Sequence, residues 1–99
     1  MILVAGEIQI APGTFAKLKP AMEAMLKATR AEKGCVAYSY AQDVLNPDII
    51  RIFEKWDSKA ELKDHTLTDH IKVWRAALAE AKIVSRNLQS YEVENMQDV

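Results

Sequence analysis

All the histidines and tryptophans of the chain, two of each, fall within one stretch, EKWDSKAELKDHTLTDHIKVWR, from Glu54 to Arg75. Imidazole has its ordinary pKa near neutrality, so His65 and His70 are the first candidates for proton transfer or metal ligation. A five-residue step on one continuous helix turns about 500°, which leaves the two side chains about 140° apart. Zinc pairs on a helix use i, i+4 spacing instead, and no cysteine or acidic cluster at ligand spacing joins this pair. The spacing therefore predicts no metal site. Taken singly, His65 closes a short predicted helix and reads either as a pocket base or as a C-terminal cap favoured by the helix dipole. His70 shares a helical stripe with Val73, Trp74, Ala77, Leu78 and Ala81. It reads as a pocket imidazole or as a core-edge ring packed on Trp74.

Other side chains could join this chemistry. Alternation along IIRIFEKW sets Ile50, Ile52, Glu54 and Trp56 on one strand face and Ile49, Arg51, Phe53 and Lys55 on the other. A carboxylate among apolar neighbours is either a tuned base or an ion-pair partner across a subunit interface, and the interface pair is the expectation for Glu54. Tyr38 and Tyr40 share a face, and their phenols could meet a ligand or the sheet edge. Met22 and Met25 fall on a helix stripe that could line an adaptable apolar wall. Cys35 reads as a small buried hydrophobe.

The elements that position these groups follow from periodicity. Ile2 to Ile10 alternates as a strand, and APGT ends it with Thr14 as the expected N-cap. Phe15, Leu18, Met22, Met25, Leu26 and Thr29 predict a helix to about Lys33, stopped by Gly34 and disturbed near its start by Pro20. Cys35 to Asp43 and Ile49 to Trp56 predict an antiparallel hairpin about the LNPD turn. Ser58 to Glu61 fits a capping box for a short helix through His65, and Thr68 or Asp69 starts another through about Lys82. IVSRNLQSYEV predicts a closing strand. The order β-α-β-β-α-β is the ferredoxin-like, α+β arrangement, with helices on one face of an antiparallel sheet. The other face needs cover, and a second copy is the expected cover. Residues 1–94 are expected to form one domain and 95–99 a frayed tail.

Composition narrows the function classes. With 99 residues there is chain for one core only. Net charge is −1 and the thirteen Lys/Arg are dispersed, so no basic stripe addresses nucleic acid. MILVAGEIQI has no basic flank and is interrupted by Glu7, so neither a secretion signal nor a membrane span is expected. A single cysteine cannot close an intramolecular disulfide, and a reducing, cytoplasmic location is the expectation. No G-x-G-x-x-G, P-loop or G-x-S-x-G motif occurs.

Glu32-Lys33-Gly34-Cys35, Tyr38, Asn46-Pro47, Glu54-Lys55-Trp56 and His65-Thr66-Leu67-Thr68-Asp69-His70 occur in an order that resembles the antibiotic biosynthesis monooxygenase (ABM) family. The resemblance implies a dimeric α/β barrel, two sheets face to face, with a pocket between helices and sheet in each subunit. It also implies a homodimer that, without a cofactor, uses O₂ on a small phenolic, quinol or anthrone-like aromatic. On that reading His65 is the catalytic base, and His70, Trp74, Phe53 and Tyr40 contact substrate. Haem-degrading relatives resemble the chain in fold but carry Asn, Trp and a ligating His at positions that fall here on Gly6, His65 and Arg75. None matches, so haem ligation is not expected. Two alternatives stay open. One is an isomerase or related enzyme on a small carbonyl or sugar-phosphate metabolite, using Arg51 or Arg75. The other is a non-catalytic ligand-binding dimer.

Overall fold

The computed structural model describes residues 1–99. Seven elements run in chain order: β1 (Ile2–Ile10), α1 (Phe15–Arg30), β2 (Cys35–Gln42), β3 (Ile49–Trp56), α2 (Lys59–Thr66), α3 (Asp69–Ala81) and β4 (Ile83–Glu92). The four strands form one antiparallel sheet in the order β2-β3-β1-β4, the ferredoxin-like topology. Register stacks the helix-facing side chains in rows. Tyr38, Glu54, Val4 and Ser90 make one row, and Tyr40, Ile52, Gly6 and Leu88 the next.

The core lies between this face and the helices. From α1 it takes Leu18, Met22, Met25 and Thr29, which the 3.6-residue period sets in line, and from α3 it takes Ile71, Trp74 and Leu78. Trp56 and Ile50 are wholly buried beneath them. Met22 and Met25 are core residues here and contribute nothing to the cavity described below. The helices cover the β2–β3 side of the sheet. Every β4 residue except Leu88 is exposed, so the layer opens over β4.

Local signals held with instructive exceptions. Ser58 accepts from the Ala60 amide as the N-cap of α2, and its hydroxyl donates to the Glu61 carboxylate, so the S-x-x-E pair caps the helix through a side-chain bond in place of the reciprocal backbone bond of a full capping box. Thr14 precedes α1, but its hydroxyl donates back to the Ala11 carbonyl at 2.8 Å instead of capping the helix. Pro20 is accommodated on the solvent side of α1, which runs unbroken. That helix ends at Arg30, three residues before the expected stop, and Ala31–Gly34 forms turns. Gly34 has φ +81°, and a Cβ there would fall 2.1 Å from Glu61 Cγ. The turn therefore lies directly on α2, and Glu32 is released from the helix to face the α2–α3 junction.

Candidate functional site

His65 is the last inward-facing residue of α2 and is 3% exposed. Helix α2 ends with Leu67 as its C-cap, and Thr68 then joins the two helices. Its hydroxyl donates to the His65 carbonyl at 2.8 Å and accepts from the Ile71 amide at 3.4 Å as the N-cap of α3. His65 and His70 thus sit on different helices. The 140° divergence expected on one continuous helix does not apply, and the ring centroids are 6.1 Å apart.

Both rings are aimed at one carboxylate oxygen. Glu32 Oε2 lies 2.7 Å from His65 Nδ1 and 2.7 Å from His70 Nε2. A carboxylate only accepts, so both nitrogens donate to it. That places the His65 proton on Nδ1 and leaves Nε2 as an acceptor, 3.3 Å from the Tyr38 hydroxyl. The Tyr38 and Tyr40 hydroxyls are 3.2 Å apart and their rings stack at 5.5 Å. The result is a continuous polar line from His70 through Glu32, His65 and Tyr38 to Tyr40. Burial lowers the His65 pKa, and the Glu32 carboxylate opposes that shift. Burial pushes both tyrosines up, so the phenols stay neutral.

Tyr38, Tyr40 and His65 form one wall of a cavity of about 270 Å³. Val4, Ile8, Ile52 and Leu88 give it an apolar floor, Trp74 and Leu78 roof it, and Arg75 and Arg86 stand at its exposed rim. The volume lies just under the roughly 300 Å³ at which drug-sized ligand pockets begin, which suits a small ligand. Glu54 is the buried acid of the floor, 7% exposed, and accepts from the Trp56 indole at 3.0 Å. Desolvation raises its pKa, with that hydrogen bond and the two rim arginines acting in the opposite direction. Its partner is within its own chain and on the helix side. That side is the opposite one from the face where a second copy is expected.

Of the residues expected to contact substrate, Tyr40 and Trp74 line the cavity. Phe53 does not. Its odd register puts it on the outer face beside Ala5 and Ser39, 40% exposed. His70 does not line the cavity either, because it turns from Trp74 to Glu32 and stands behind His65. Arg51 lies on the outer face, paired with Glu7 and Asp43 at 3.1 Å, whereas Arg75 reaches the rim. Two groups were missed from sequence. Glu32 carried no role, although an acidic residue just before Gly34 was visible, and Arg86 gave no signal in an exposed strand.

A profile of the antibiotic biosynthesis monooxygenase family matches residues 1–77. The chain belongs to this family. An ABM identity accords with the fold: a provisionally assigned antibiotic biosynthesis monooxygenase of Deinococcus radiodurans superposes with a TM-score of 0.90. That superposition covers 100% of this chain and 98% of the other at 22% identity. A provisionally assigned monooxygenase of Mycobacterium tuberculosis is 29% identical over 69 residues, which is 70% of this chain and 67% of that protein. An uncharacterised protein of Synechocystis is also 29% identical over 69 residues, again 70% of this chain. This ABM chain matches 47% of that protein's length, about half. No helix is long and apolar enough to cross a membrane.

Proposed function

We propose that the chain is a cofactor-independent monooxygenase of a small phenolic, quinol or anthrone-like substrate, with His65 as its base. The observation that carries this reading is the Glu32–His65–Tyr38 line. A carboxylate holds the imidazole proton on Nδ1 and leaves Nε2 free to accept at the cavity wall. The stacked tyrosines and Trp74 supply flat apolar surface for a ring.

The chemistry closes without an added reductant. His65 takes a proton from the substrate, directly or through Tyr38, and the resulting anion gives an electron to O₂. Recombination forms a carbon–oxygen bond to a hydroperoxide. Loss of the remaining C–H proton and cleavage of the O–O bond leave a carbonyl. One oxygen atom stays on the substrate, and the other departs as water with the proton His65 returns.

A homodimer is part of the proposal. Phe53, Tyr91 and Val36 are exposed large apolar groups on or beside the outer face of the sheet, and a second copy packed there would cover them. A second reading is favoured by Arg75 and Arg86, which form no ion pair and flank the cavity. Cations so placed would suit an isomerase or related enzyme on a small carbonyl or phosphorylated metabolite.

Oxygen uptake by chelator-treated protein over a quinol and anthrone panel tests the main reading. Uptake should exceed autoxidation, and His65→Gln should lower it by about 10²–10⁴-fold. Uptake at the background rate, or identical in the variant, overturns it.

A further inference from the structure

Glu32 Oε2, His65 Nδ1 and His70 Nε2 come from three separate segments, and all lie within 4.8 Å of one another. We propose that these three atoms bind one divalent first-row transition ion, with zinc the best match. Two imidazoles and one carboxylate suit zinc and its neighbours, whereas magnesium and calcium prefer all-oxygen sets.

The geometry is close to what such an ion needs. Zinc bonds of about 2.0–2.1 Å at tetrahedral angles put ligand atoms roughly 3.3 Å apart. The two contacts to Glu32 Oε2 are 2.7 Å and the three atoms lie within 4.8 Å of one another, so the carboxylate must withdraw by roughly half an ångström and the part-exposed His70 ring must swing toward His65. Glu32 can do so because it sits in the turn after α1 and has a flexible side chain. His65 cannot move far, being held between Tyr38 and Trp56 at ring distances of 5.2 and 4.9 Å. Its outer nitrogen faces the Tyr38 hydroxyl, the kind of supporting bond that orients a histidine ligand. The His70 side chain is 26% exposed, which leaves a solvent-facing side for a water as fourth ligand.

The site lies behind His65, since neither Glu32 nor His70 lines the cavity. Its effect on the cavity is through the imidazole. An ion on Nδ1 needs the lone pair of that nitrogen, so the ring binds it in its other neutral tautomer, with its single proton moved from Nδ1 to Nε2. The hydrogen bond to Tyr38 then runs outward from the ring, and Nε2 no longer accepts. Filling the site therefore switches off the base, a consequence that rests on the function proposed above.

Tag-free, chelator-stripped protein titrated with cobalt(II), and with zinc against a chromophoric chelator, tests the site without any substrate. The expected result is one ion per chain with the visible cobalt bands of a tetrahedral site. Affinity should fall at least about tenfold in both His70→Ala and Glu32→Gln, each checked for folding by circular dichroism. No stoichiometric binding by folded wild-type protein, or equal binding in both variants, overturns the proposal. Oxygen uptake by wild-type protein separates the two layers. A fall on zinc loading that chelation reverses supports the switch, and unchanged uptake at saturation overturns the switch while the binding data still decide the site.

Discussion

The two faces of the sheet are built from the same alternating strands, yet they spend their side chains differently. The helix-facing side holds Ile8, Ile50, Ile52 and Trp56, all nearly inaccessible, and among them a carboxylate and two phenols. The outer side holds Glu7, Arg51, Phe53 and Gln89, with its one charge cluster exposed to solvent. A polar group on the first face must be satisfied by the protein, and Glu54, Tyr38 and His65 all are. On the second face water does that work. Directional chemistry is therefore confined to the helix side, where each donor and acceptor is fixed by a neighbour.

Truncating one aromatic from each face should separate them most sharply. Trp56→Ala is expected to destabilise the chain by about 3–5 kcal/mol in urea unfolding, as buried tryptophans do. Phe53→Ala should cost less than about 1 kcal/mol within one chain and act on self-association, read by analytical ultracentrifugation. Equal losses in the two variants would break the comparison.

Gly6 is the next largest case, in the middle of β1 between β3 and β4. It has φ +148°, and a Cβ there would lie 1.9 Å from the Asn87 carbonyl oxygen. Gly6→Ala should therefore cost about 2 kcal/mol or more, because backbone cannot yield as a side-chain tip can. A variant with an unchanged urea midpoint would show that β1 and β4 pair with more freedom than this register implies.

Glu54→Gln should give a smaller effect of opposite sign. The folded protein raises the Glu54 pKa, chiefly by desolvation, so the fold holds this proton more tightly than the unfolded chain does. The group costs nothing below its unfolded pKa, and its penalty grows as pH rises through the folded value. Glutamine keeps an acceptor for the Trp56 indole and carries no charge. The variant should melt a few degrees higher at pH 7, at roughly 4–8 °C per kcal/mol, and the gap should close toward pH 4. A gap independent of pH would mean that burial of the charge is not what matters.

Much of this is legible in the sequence. Alternation placed Glu54, Ile52 and Trp56 on one face, and the stripes of α1 and α3 named most of the core. The same alternation puts Phe53 on the opposite face, against the substrate contact expected of it. The break between His65 and His70 is legible, since the capping signals end one helix near His65 and start another at Thr68 or Asp69, but the convergence of both rings on Glu32 is not, because it depends on where α1 stops. Leu67 and Thr68 break the segment between His65 and His70, and α1 ends early enough to free Glu32. Helix ends are fixed by local caps and by tertiary contacts such as Gly34 on Glu61, which spacing does not encode.

The central claim is that Glu32 holds the His65 proton on Nδ1 and leaves Nε2 open toward Tyr38. Long-range proton–nitrogen NMR correlation on histidine-labelled, chelator-treated protein reads the tautomer directly, and Glu32→Gln assigns the cause. The account predicts a protonated Nδ1 and a bare Nε2 on His65 at neutral pH, with that preference weakened in the variant. A proton on Nε2 in the wild type, or a tautomer unchanged by Glu32→Gln, would contradict it.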